Sequence, residues 1–227
     1  MRMSCRVFAP SILAPRILAL RILALIFMCA SGALAQSARA DYSTLKTQDV
    51  HQNLLIVADP YLSADRYGKG TFGKKSPYDA GVVAIDVYFK NDNDSSVRID
   101  LKTIRLAVSL PDEQRQQLTP LSPQEVADCA FLTGEANPTV QRRPLALPGS
   151  KSGKPKGWED MANSIEAVAL STDTVPPHGT THGFLFFDVD HKFDAIRYSH
   201  LYIPDLSFTG DHAALLFFEI DLKSAPR

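Results

Sequence analysis

A chain of 227 residues with 45% hydrophobic and 22% charged side chains has the composition of a globular protein, not of a disordered or fibrous one. Its formal net charge of −1 excludes the broadly basic surface that general nucleic-acid binding uses. The N-terminal stretch carries Arg2, Arg6, Arg16 and Arg21, an apolar run over Ile22–Ala30, and small residues at Ala33-Leu34-Ala35 and Ala38-Arg39-Ala40. That order is the anatomy of a signal peptide, with cleavage expected after residue 35 or, alternatively, after residue 40.

Loss of residues 1–35 removes four Arg and no acid, leaving 20 basic against 25 acidic residues and a net charge of −5. Cys5 and Cys29 leave with the same segment. Cys129 is then the one cysteine left, no intramolecular disulfide is expected, and the core must hold the fold without one.

The apolar run Leu54–Ala58 reads as a first strand. It is followed by a loop, Tyr61–Tyr78, with two phosphate-binding patterns in "GKGTFGKKS". Gly68, Gly70 and Gly73 form G-x-G-x-x-G, and Gly68, Gly73 and Lys74 form G-x-x-x-x-G-K. A nucleotide site needs a strand running straight into the loop, a Ser or Thr after the Lys, and a helix opening there. Lys75 stands in the hydroxyl position, and Pro77 and Gly81 leave no room for a helix.

The same loop interleaves Tyr61, Tyr67, Phe72 and Tyr78 with Arg66, Lys69, Lys74 and Lys75. Rings and cations mixed on a loop suit a glycan or an anionic polymer, through stacking and cation–π contact. The other reading is that the rings pin the loop to the sheet beneath it. Both readings stay open at this point.

Alternation of period two marks the next strands. Val83, Ile85, Val87 and Phe89 line one face of "GVVAIDVYFKN", with Asp86 and Lys90 on the other. Val97, Ile99 and Leu101 alternate in "SVRIDLK", and Ile104, Leu106, Val108 and Leu110 in "IRLAVSL". "NDNDSS" turns between the first two. It lacks the glycine and distal Glu of a calcium loop.

Two helices are expected in the segment 120–170. In "LSPQEVADCAFL", Ser122 caps, Pro123 opens and Glu125 closes a capping box; Cys129 falls on the packed face with Val126 and Ala130. In "GWEDMANSIEAVAL", Trp158, Met161, Ile165 and Val168 keep helical spacing, with Trp158 as the anchor. Between them "QRRPLALPGSKSGKPKG" is basic and rich in Pro and Gly, and reads as a solvated loop. "THGFLFFDVD", "IRYSHLYIP" and "HAALLFFEIDL" supply three further strands, for about seven in all. His178 and His182 are four apart, but Pro176, Pro177 and Gly179 forbid the helix that would aim both at one metal. No G-x-S-x-G elbow or paired-carboxylate motif stands out.

"TVPPHGTTHGFLFFDVD", with the strand–turn–strand pattern upstream, resembles the turn-and-core-strand step of small immunoglobulin-like β-sandwich domains in exported, mostly uncharacterised bacterial proteins. The resemblance covers roughly residues 82–110 and 175–222, and implies architecture and export but no catalytic residues. The expected fold is all-β: an immunoglobulin-like antiparallel sandwich of about seven strands over residues 41–227, with two short helical insertions. The expected function is an exported non-catalytic module contacting an envelope or extracellular macromolecule, either a protein or an anionic or glycan polymer. The alternatives are a periplasmic hydrolase with its site in the insertion, and an assembly factor that pairs through an edge strand. No cofactor, metal, nucleic acid or transmembrane helix after cleavage is expected.

Overall fold

A computed structural model describes residues 42–68, 70–109, 115–132, 154–210 and 213–225. The expected export segment, Lys69 and most of the basic stretch that begins at Gln141 lie outside the described residues. The fold is mostly β, with three antiparallel sheets and two α-helices among the described residues.

The strands are β1 (Gln48–His51), β2 (Leu54–Pro60), β3 (Val82–Asn91), β4 (Val97–Arg98), β5 (Arg105–Ser109), β6 (Arg115–Leu118), β7 (Thr174–Val175), β8 (Thr180–Asp188), β9 (Ser199–Ile203), β10 (Ser207–Phe208) and β11 (Phe218–Asp221). The helices are α1 (Pro123–Leu132) and α2 (Trp158–Val168). One four-stranded sheet runs β1-β2-β3-β8, a second β11-β9-β5-β6, and a small third sheet β10-β4-β7 puts Val97 and Val175 into the same core.

The inward residues of both large sheets share one core. Ile56, Ile85, Phe89 and Phe187 come from the first sheet, and Leu106, Leu201, Phe218 and Ile220 from the second. The alternation predicted for β3 holds on this face. Its other face is not solvent-facing, however. Val82 and Ala84 pack with Phe186 beneath α1 and α2, so the helical segment covers this face of the sheet. Asp86, expected in water, is buried, and its carboxylate accepts a 2.8 Å hydrogen bond from the Tyr42 hydroxyl. The Tyr42 ring also stacks on Tyr88 at 4.4 Å.

Four strands have no counterpart in the expected set: β1, β6, β7 and β10. Three expected strands are shorter than their pattern. Residues 96–102 form a strand only at Val97 and Arg98, and 213–222 only over β11, with one isolated bridge from Ala214 to Ser207; "IRYSHLYIP" is strand only over β9, and Leu110 and His212 lie outside the described residues.

Local chemistry sets the helices as expected. The Ser122 amide donates to Glu125 Oε2 at 2.8 Å, and the Glu125 amide donates to Ser122 Oγ at 3.3 Å, a complete capping box. Trp158, Met161 and Ile165 are buried at the expected spacing, and Trp158 Nε1 donates to Asp128 at 2.8 Å, which ties α2 to α1. The chain leaves α2 across the edge of β8, where the Leu170 amide donates to the Phe184 carbonyl at 2.9 Å. A Cβ on Gly183 would stand 2.6 Å from the Leu170 Cα, so only glycine lets the two backbones meet there.

Candidate functional site

Pro60 ends β2 opposite Ile85, and the Tyr61 amide still donates to the Ala84 carbonyl at 2.8 Å. From there the chain lifts off the sheet, makes a 3-10 turn over Ala64–Tyr67, and returns at Val82. What holds this excursion is aromatic. Tyr67 is buried, and its hydroxyl accepts from the Ala84 amide at 3.0 Å while facing the carbonyls of Tyr61 and Val82. Burial raises its phenol well above the ordinary range.

Phe72 is 2% exposed and meets Phe184 and Phe186 edge-on, at 5.3 and 5.9 Å. It is driven inward by a tight turn in which Gly70 and Gly73 adopt φ of +94° and +97° and the Gly73 amide donates back to the Gly70 carbonyl. The glycine spacing therefore serves a turn, and no α-helix opens after Lys74.

Tyr61 and Tyr78 are half-buried. Tyr61 sets its edge against Phe184, and Tyr78 stacks on Phe193 at 4.2 Å. Arg66 lies 4.2 Å over the Tyr61 ring and donates through both terminal nitrogens to Asp59, at 2.8 and 2.6 Å. Its guanidinium is held charged first by that bond to Asp59. Lys75 Nζ donates to the Ala130 carbonyl near the end of α1 at 2.7 Å and sits over the Phe131 ring. A cation there also complements the negative end of the helix dipole. Lys74 is exposed, and Lys69 lies outside the described residues.

Of the eight residues singled out on this loop, the structure gathers seven around one excursion, but it does not array the rings for stacking on a ligand. Tyr67 and Phe72 belong to the core, and Arg66 is committed to Asp59. The surface that remains is an open cleft of about 830 Å³, whose polar lining includes Asp65, Lys74, Lys75 and Asp79 beside the backbones of Gly68 and Gly70. It offers the Lys74 ammonium, the Lys75 ammonium with one of its donors engaged by the Ala130 carbonyl, two carboxylates and glycine backbone that a ligand can approach closely.

Comparison with protein-family models, curated proteins and solved structures finds no match for the chain. The site is therefore read from its own chemistry.

A second cleft has a volume of about 560 Å³. It is lined by Leu62, Ser63, Phe193, Asp194, Arg197 and Tyr198. The sequence reading assigns Arg197 and Tyr198 to the strand "IRYSHLYIP" and singles out none of these residues for a site. In the structure Phe193–Tyr198 is a 3-10 segment that presents its polar side. The usable signal was two aromatic residues flanking Asp and Arg within six positions.

The histidine and calcium patterns resolve into structural contacts. His178 pairs with Asp94 at 2.8 Å, while His182 lies apart from it on β8. Asn91, buried, donates to the carbonyls of Ser95 and Pro176 and so staples the Asx turn to the turn before β8. Among the described residues no group of three or more His, Cys, Asp or Glu converges on a point, and no helix is long and apolar enough to cross a membrane.

Cys129 is half-buried on the inner face of α1, and burial, ahead of the carboxylates of Asp188, Asp128 and Glu125, pushes its thiol up to about 11. The thiol is thus neutral at physiological pH. At pH 8 only about 0.1% would be thiolate, so Ellman's reagent should label the native chain about a hundredfold more slowly than the urea-unfolded chain. Equal rates would show that α1 does not shield it.

Proposed function

We propose that this chain is an exported, non-catalytic binding module with an immunoglobulin-like sandwich, and that its loop cleft contacts an anionic envelope polymer, a glycan in particular. The core shared by the two four-stranded sheets supports the sandwich, and the Arg-led apolar N-terminus supports export. The observation that carries the binding reading is the anchoring of the loop. Two core rings, two half-buried rings and the Arg66–Asp59 fork hold its backbone, so Lys74 and Lys75 stand at the cleft rim without first having to be ordered. Preorganisation of that kind raises affinity by lowering the entropy cost of binding.

The test is retention on immobilised alginate, with dextran as the neutral control. Exchanging Lys74 and Lys75 together for Ser should weaken alginate binding about tenfold and leave stability within about 0.5 kcal/mol. Added salt should weaken binding by the parent chain in the same direction. Alginate retention indifferent both to salt and to the double exchange would refute this reading.

The edge-strand alternative has one feature in its favour: Val50, Leu216 and Phe217 are 60%, 62% and 53% exposed around β1 and β11. Those two edges are laced to each other, though. Asp49 accepts from the Glu219 amide at 3.2 Å, and Gln52 from the Leu216 amide at 2.9 Å. Amides already satisfied in this way are poor templates for an incoming strand. The hydrolase alternative is also less favoured, because α1 and α2 converge through Val126, Met161 and Ile165, all apolar.

A further inference from the structure

The cleft bounded by Phe193, Asp194, Arg197 and Tyr198 has a composition unlike the rest of the surface. Tyr198 is 63% exposed, which is uncommon for an aromatic ring. Phe193 is half-buried, and one side of its ring is fixed by the stack on Tyr78. Between them stand Asp194 and Arg197. Neither side chain makes a hydrogen bond or an ion pair among the described residues, although the structure pairs the comparable Arg66 in two directions.

The frame beneath is rigid. Ile196 is fully buried in the sandwich core, and the Ser199 hydroxyl donates to the Ala195 carbonyl at 2.9 Å. A six-residue 3-10 segment pinned through its middle thus holds two rings, one guanidinium and one carboxylate toward an open cleft of about 560 Å³.

We propose that this cleft is a saccharide subsite that takes a carboxylate-bearing sugar unit. The proposal rests on the glycan reading above and deepens it. A pyranose has an apolar C–H face, which suits the exposed face of Tyr198, and a rim of hydroxyls, which suits the acceptor oxygens of Asp194 and the donor fork of Arg197. A planar guanidinium without a protein partner is matched in geometry and charge by a sugar carboxylate, to which it can donate two parallel hydrogen bonds. Asp194 favours an incoming hydroxyl donor and disfavours a second anion beside it. One carboxylate per sugar unit fits this pair better than a phosphate or sulfate cluster does. Leu62 and Ser63 line this cleft and Ala64 and Asp65 line the Lys74 and Lys75 cleft, so consecutive residues of one segment contribute to both.

The test uses the full purified chain, with saturation-transfer NMR and calorimetry. The probes are oligomers of galacturonate, alginate and hyaluronan, each paired with its carboxyl-reduced counterpart. At least one acidic oligomer should bind, and its reduced counterpart should bind about tenfold more weakly. Tyr198→Ala should weaken the acidic oligomer by a similar factor. Arg197→Gln should remove most of the difference between acidic and reduced forms while leaving the reduced form's affinity unchanged. Circular dichroism and melting should match the parent for both variants, since both side chains point outward.

Binding that is unchanged by both variants but lost in the Lys74→Ser, Lys75→Ser chain overturns the subsite and leaves the first cleft standing. Binding lost in the Tyr198 and Arg197 variants but kept in the lysine double variant supports the subsite and overturns the lysine reading. Equal affinity for acidic and reduced chains, or no binding to any probe at millimolar concentration, overturns the carboxylate-sugar assignment.

Discussion

Phe72→Ala should cost about 3–5 kcal/mol of folding stability, close to the upper range for a truncated core residue. The ring is 2% exposed and fills the space between Tyr67, Phe184 and Phe186. Below it lies the first sheet and beside it lies α2, where a Cβ on Gly73 would stand 3.3 Å from the Met161 Cα. The neighbours of the ring are large side chains packed on the first sheet and on one another, which limits their collapse into the void. The loss should appear as a lower urea midpoint with an unchanged slope. An exposed ligand-contacting ring would instead cost within about 0.5 kcal/mol, so the same measurement separates a packed loop from a displayed one.

Arg66→Ala should cost about 3 kcal/mol. Its effect comes mainly from what it leaves behind. The Asp59 side chain is 2% exposed, and its two oxygens accept from the two terminal nitrogens of Arg66. Asp59 pairs across the strands with Asp86, which places two carboxylates on neighbouring buried positions. Without the guanidinium, one of them has lost its compensating charge. The control is the double exchange Asp59→Leu with Arg66→Met, which removes both charges and keeps apolar volume. It should be clearly more stable than Arg66→Ala alone. A single Arg66→Ala variant as stable as the parent would mean that the pair is exposed and screened, contrary to its burial.

These two residues show where sequence reading stops. Both belong to a loop whose aromatic and cationic content was plain in the sequence, and for which packing and display were both open. The deciding fact is the second apolar face of β3. Val82-Val83-Ala84-Ile85 is a continuous apolar run, the pattern of a strand buried on both sides, yet the clean alternation further along reads as a half-exposed strand. The layer that covers the second face comes from Tyr67, Phe72, Val126, Trp158 and Met161, which stand far apart in sequence. β6 was missed for a related reason. Arg115-Gln116-Gln117-Leu118 has no hydrophobic period, and its strand conformation comes from pairing with β5.

By itself the sequence determined what depends on neighbouring residues. The Ser122–Glu125 box starts α1, helical spacing buries Trp158, Met161 and Ile165, and period-two runs make β3, β5 and β9. It also set Lys75 in the hydroxyl position of the phosphate-loop pattern and Pro77 behind it, and no α-helix opens after Lys74 among the described residues. The tertiary structure alone decided which charged and aromatic groups remain for function. Asp59, Asp86 and Arg66 look like surface charge in the sequence but are consumed in pairing, while Arg197 and Tyr198 fall in a run read as a strand but stand with Asp194 at an open cleft. Burial is a property of the partner surface, and residues in the same short motif meet different partners once the sheets close over one core.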